Sequence, residues 1–224
     1  MKSLIRILFS ALIFLIPLII IGSAIRVALT PLFISVEYRL PGFPPDEYGF
    51  STEDRLTWAN YSIEYLLGRV SHDELASTTL QDGSPLFNQR ELAHMLDVRV
   101  LTHQVLNLWQ VLVLVLIAFI FLGIIFNLRH EILISLKRGA LLTILLILSV
   151  LIYLAINFTQ LFTQFHQLFF EGDSWLFLMS DHLIRLFPLR FWRDLFIFIG
   201  SLSAAISLLI LFIPIRLSQN SHKN

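Results

Sequence analysis

Four long apolar runs punctuate the chain. Ile7–Ile25, Val100–Leu128, Gly139–Phe170 and Leu195–Ile215 contain no Asp, Glu, Lys or Arg. Each is long enough to cross ~30 Å of hydrocarbon, which takes ~20 helical residues. Apolar and polar residues do not alternate within them, so they predict helices rather than barrel strands. Pro17 predicts a kink in the first. Lys2 and Arg6 would also suit a signal peptide. The run is long for one, however, and no A-x-A cleavage pattern follows, so it is read as a retained span.

Between the first two runs the pattern changes. LPGFPPDEYG (40–49) is a Pro/Gly-rich loop. Ser51 and Asp54 form a helix-start box, and Leu56, Ala59, Ile63 and Leu66 follow at helical spacing until Gly68. Ser71 predicts the start of a second short helix. Gln81–Pro85 reads as a loop. Asn88 with Glu91 marks a third start, and no Gly or Pro appears from there until Gly123. One helix is therefore expected from about Gln89 through the second run.

These patterns predict an all-α polytopic membrane protein with four transmembrane helices and a small extracellular cap. The expected division is a first transmembrane helix at 1–32, the cap at 33–99 and a second transmembrane helix at 100–128. A cytoplasmic loop at 129–138, a third helix at 139–160 and an aromatic-rich extracellular interfacial loop at 161–193 follow. The fourth helix is expected at 194–216 and a cytoplasmic tail at 217–224.

Charge orients the spans. Residues 33–99 hold eleven acids and five arginines, and all three lysines, Lys2, Lys137 and Lys223, lie elsewhere. Basic residues in short loops stay cytoplasmic. Both termini and the loop around Lys137 are thus expected inside, and the cap outside. Composition then narrows the chemistry. Of 224 residues, 56% are hydrophobic and 14% charged, where a soluble protein carries roughly a quarter. Sixteen bases balance sixteen acids, which gives no nucleic-acid footprint. Cysteine is absent, which excludes disulfides, thiol nucleophiles and thiolate metal sites.

Two of the seven histidines are singled out by geometry. His94 lies six residues before the second run, ~9 Å along a helix. His166 lies 27 residues past Gly139, ~40 Å of helix, beyond the hydrocarbon thickness. Both are expected at the outer interface, on different helices. His94 shares a face with Arg90, Glu91 and Asp97. His103 is nine positions further on, ~180° around the helix, and reads as a packing residue. Taken singly, His94 also fits a solvated charge cluster and His166 an aromatic belt. Residues 158–192 hold ten Phe or Trp among Asp173, Asp181, Arg185, Arg190 and Arg193. That is the lining an amphiphilic lipid substrate requires. No Gly-x-Ser-x-Gly turn points to a serine lipase, and no His-Glu-x-x-His pair points to a metal.

RLTWANYSIEYLLG (55–68), PLFNQRELAHMLDV (85–98) and FHQLFFEGDSWLFLMSDHLIRLFPLRFW (165–192) resemble one family of bacterial integral membrane proteins, which includes the lipoprotein intramolecular transacylases. The resemblance covers nearly the whole chain. It implies four helices with an extracellular cap in the bacterial cell membrane; no cofactor or metal is expected, because the ligand spacing is poor and the implied reaction needs proton transfer alone. It also implies diacylglyceryl-modified lipoproteins as partners, within membrane lipid and with no nucleic acid. The implied reaction moves the sn-2 acyl chain to the α-amino group of the N-terminal cysteine, giving an N-acyl lyso-form. His94 and His166 are the catalytic pair the resemblance implies. Tyr61, Arg90, Glu91, Asp97, Phe169, Trp175, Asp181, Trp192 and Arg193 are candidates for support or substrate positioning. Two further readings remain at this point: a non-catalytic scaffold or lipoprotein-binding protein, and a metal-dependent membrane hydrolase using the same histidines with nearby carboxylates.

Overall fold

The computed structural model describes residues 2–213, with side chains from Phe9 onward. The tail at 217–224, with Lys223 and His222, lies outside the described residues, as do Arg216 and the side chains of Lys2 and Arg6. The described chain is all-helical: α1 (Lys2–Ala28), α2 (Pro31–Glu37), α3 (Thr52–Leu66), α4 (His72–Ser77), α5 (Gln89–Ile125), α6 (Arg129–Phe169), α7 (His182–Leu186) and α8 (Leu189–Phe212). Four of these, α1, α5, α6 and α8, are long and apolar enough to cross a membrane. The helix α1 is continuous across Pro17. A break falls instead at Asn157 in α6, where φ is −155° and ψ 83°. There the Asn157 Oδ1 accepts from the Gln160 amide at 3.0 Å and restarts the helix.

The chain forms two compact units. Among the described residues, one comprises 2–25, 106–152 and 198–213. Leu12, Ile16, Ile20 and Leu112 fill its interior. Small residues permit close helix approach, as expected where lipid removes the hydrophobic drive to associate. A Cβ on Gly139 would stand 2.5 Å from the Ile16 Cβ, so only glycine fits there. Two polar side chains bond across its helices: Ser135 donates to the Phe9 carbonyl (2.8 Å) and Trp109 to the Ser23 hydroxyl (3.0 Å). Leu114, Ile117 and Phe121 project outward from α5, the pattern of a lipid-facing surface.

The second unit comprises residues 26–105 and 153–197. Tyr65, Leu75, Leu86, Phe87, Leu92, Met95, Leu183 and Leu186 form its core. Reciprocal capping boxes start α3 (Ser51 with Asp54) and α4 (Ser71 with Glu74). Gly68, at φ +79°, takes the left-handed turn that ends the α3 segment. Asn88 starts α5: its Oδ1 accepts from the amides of Arg90 and Glu91, while the Glu91 carboxylate accepts from the Asn88 amide. The 161–193 segment holds the end of α6, all of α7 and the first turn of α8.

Candidate active site

His94 on α5 and His166 on the restarted part of α6 face each other within the second unit. Their ring centroids are 6.2 Å apart and the planes are inclined by 23°. Each is only 6% exposed. Aromatic rings enclose them. Phe170 lies 4.9 Å from His94 and 5.6 Å from His166. Phe177 covers His94 at 5.4 Å, and Phe162 and Trp175 cover His166 at 4.1 and 4.9 Å. Such walls bind acyl chains and exclude water.

The two imidazoles differ in what they can do. The His166 Nδ1 lies 2.8 Å from the Phe162 carbonyl oxygen. A carbonyl only accepts, so Nδ1 carries the proton and donates it there. The neutral ring then presents Nε2 as a free base. The His94 Nδ1 is buried without a hydrogen-bond partner. No protein group fixes its tautomer, so it can take or give a proton on substrate arrival.

The remaining predicted residues separate. Trp175 caps His166 and is itself held by its Nε1 donating to the Gly172 carbonyl (3.1 Å). Arg90 donates to the Asp173 carbonyl at 2.6 Å and lies over the Phe177 ring, tying the 171–181 loop to α5. Asp181 braces the same loop, accepting from the Leu178 amide and from Asn88. Glu91, 1% exposed, accepts from the Leu183 amide at 2.6 Å as well as from Asn88. It joins the starts of α5 and α7. Trp192 packs at 6.3 Å from Phe162, and Phe169 packs on Phe165 while remaining half exposed. Tyr61 bonds to Thr78, Asp97 is exposed and Arg193 pairs with Asp194. The structure does not bring these last three to the histidines.

Phe162, Phe170 and Phe177 belong to the ten rings expected to line a pocket, but are not among the individually named candidates. Two of them are singled out by spacing: Phe162 and Phe170 stand at i−4 and i+4 from His166, and so share its face. Among the described residues, no group of three His, Asp or Glu side chains converges to hold a metal ion.

The family model for the lipoprotein intramolecular transacylase Lit matches residues 10–192. An uncharacterized protein of Aquifex aeolicus is 31% identical over 201 residues, covering 90% of each chain. The solved structure of the membrane integral lipoprotein intramolecular transacylase Lit from Bacillus cereus superposes with a TM-score of 0.68 at 22% identity, covering 94% of this chain and 92% of that one. Structures of the Bacillus cereus protein with one histidine replaced by arginine or by alanine also match, each with a TM-score of 0.59 at 19% identity over 93% of this chain. They cover 90% and 91% of the variant chains, respectively.

Proposed function

The chain belongs to the lipoprotein intramolecular transacylase family, and from that premise we propose that His94 and His166 perform its O-to-N acyl transfer. The chain is a membrane-integral acyltransferase acting on lipoproteins. The observation that carries the site reading is the stacked, buried histidine pair inside an aromatic cage.

The chemistry follows from the substrate. An α-amino group has a pKa near ~8 and is mostly protonated at neutral pH, so it must lose a proton before it can attack. The Nε2 of His166 takes that proton. The amine then adds to the sn-2 ester carbonyl, forming the C–N bond. As the tetrahedral intermediate collapses, the C–O bond to glycerol breaks and the sn-2 oxygen leaves as an alkoxide. His94 takes the second proton from the nitrogen of that intermediate and passes it to this oxygen, while the proton held by His166 is released to solvent. The products are an amide and a free hydroxyl; no nucleophile of the enzyme and no ATP enters. Donor and acceptor sit on one flexible molecule, so the cage lowers the barrier mainly by holding a folded near-attack shape. Positioned proton transfer contributes a further ~10²–10⁴-fold.

The charge asymmetry supports an outward-facing site: acids gather in 33–99 and lysines lie elsewhere. In this reading both termini are cytoplasmic, and diacylglyceryl lipoproteins reach the cage from the outer leaflet. The metal-dependent hydrolase reading is weaker here. The pair offers two imidazoles, Glu91 is committed to amides and Asp97 is exposed. Mass spectrometry of lipoprotein N-termini from cells with and without the protein tests the assignment. N-acylated lyso-forms should appear only with it. Loss of an acyl chain without N-acylation would indicate a hydrolase, and unchanged lipoproteins a scaffold.

A further inference from the structure

A cavity in the 26–105 part of the chain shares no lining residue with the histidine cage. It measures about 330 Å³ and is lined by Tyr38, Phe43, Pro44, Asp46, Phe50 and Arg55, with Ser51 and Thr52 at its edge. That is several times the ~30 Å³ share of one water. Arg55 is 4% exposed. Its Nη1 donates to the Pro44 carbonyl at 2.7 Å, but its Nε is buried with no partner. The guanidinium rests over the rings of Tyr38 and Phe43, at 5.1 and 4.9 Å.

No carboxylate neutralises it by contact. Asp46 is the acid of the wall, and it is already taken. Arg185 grips both its oxygens at 3.0 Å, and the Phe50 and Tyr48 amides donate to Oδ2. Two guanidinium groups and one carboxylate leave one positive charge, and it belongs to Arg55. A buried, uncompensated cation is costly.

We propose that this cavity binds the phosphodiester headgroup of an anionic phospholipid, with Arg55 as its counter-charge. An arginine fork matches phosphate oxygens. The cavity is roomier than a bare phosphate requires, and its Phe and Pro walls suit a glycerol backbone. The segment entering it supplies a place for the chains: Leu32, Val36 and Leu40, spaced four apart along α2 and its continuation, are 72%, 52% and 39% exposed. A lipid seated on Arg55 can lay its acyl chains along that face. This proposal rests on the cavity and stands apart from the acyl-transfer assignment.

Native mass spectrometry of the full-length protein, delipidated in detergent and titrated with defined lipid, tests it. Wild type should retain phosphatidylglycerol at least tenfold more tightly than phosphatidylcholine, and inorganic phosphate at millimolar concentration should not compete. Arg55→Gln should remove the preference. Because Arg55 is buried, Thr52→Glu is the second variant: it sets a carboxylate at the cavity edge, at a helix start where acids are well tolerated. It should also abolish the preference while keeping the wild-type melting temperature. Equal retention of both lipids, or an unchanged preference in Thr52→Glu, would overturn the proposal. Displacement of phosphatidylglycerol by inorganic phosphate alone would overturn the headgroup assignment in favour of a free-phosphate site.

Discussion

The His94 and His166 rings lie 6.2 Å apart and nearly parallel, although they come from two different helices. Such a pair needs both helices to hold their rotation. Asn88 and Glu91 set the start of α5, and Asn157 resets α6 nine residues before His166. The devices that place the pair are thus polar, local and separable by mutation from the pair itself.

Water exclusion gives the first expected outcome. Trp175 covers His166 and is held by one hydrogen bond to Gly172. Trp175→Ala should admit water to the ester. With a diacylglyceryl lipopeptide as substrate, the ratio of hydrolysed to N-acylated product should rise several-fold. An unchanged ratio would remove Trp175 from the cage.

Glu91 separates structure from chemistry. Its carboxylate satisfies two amides, and truncation would orphan both, at a cost on the order of 2 kcal/mol. Glu91→Ala should lower the melting midpoint clearly in detergent, and Glu91→Gln, which keeps one acceptor, should lower it less. A midpoint equal to wild type in Glu91→Ala would show that the α5–α7 junction is held otherwise.

Glu37 makes stability depend on pH. It is 2% exposed, with one carboxyl oxygen unpartnered. Burial first, and then the neighbouring Asp194, push its carboxyl from 4.5 up to about 7, against the opposing pull of Arg190 and Arg193. Between those values the folded chain holds a proton that the unfolded chain has lost. Stability therefore falls as pH rises through this window, with the full penalty present above 7. Asp46 acts oppositely but below its ordinary value of 3.8: its own burial works against the shift, and the bonds from Arg185 and Phe50 prevail and lower it. The melting midpoint of wild type relative to Glu37→Gln should drop between pH 5 and pH 8. A difference independent of pH would contradict the assignment.

Much of this architecture is written locally. The starts at Ser51, Ser71 and Asn88 are legible because each pairs a capping side chain with an acid three residues on, and all three occur. Helix lengths place the two histidines at similar depth; that their rings face each other depends on helix rotation and is seen only in the structure. The aromatic cage is less so. An aromatic belt and a lined pocket have the same composition, and only the fold of 171–181 selects Trp175 and Phe177 from the ten rings. The break at Asn157 hides in a run without Gly or Pro, because a single Asn cap suffices to reset the helix. Glu91 reads as a site residue from its place on the His94 face, but its burial and its bond to α7 depend on a segment some ninety residues away.

Orientation is open to a direct check, because the chain has no cysteine of its own. Single cysteines at Asp82 and Lys137 can be probed on intact cells with a membrane-impermeant thiol reagent. Position 82 should label and position 137 should not. The reverse pattern would put the histidine cage on the cytoplasmic side.

The central claim is that His94 and His166 act as one proton-transfer unit, and N-acylation of a defined diacylglyceryl lipopeptide by purified variants tests it most directly. His94→Ala and His166→Ala should each lose at least ~10²-fold in rate while remaining folded. The double variant should lose little more than either, because a broken relay cannot be broken twice. His103→Ala, whose ring lies against Gly68 on another face of α5, should keep most activity. Near-normal turnover in either His94→Ala or His166→Ala would contradict the mechanism even though the family membership stands.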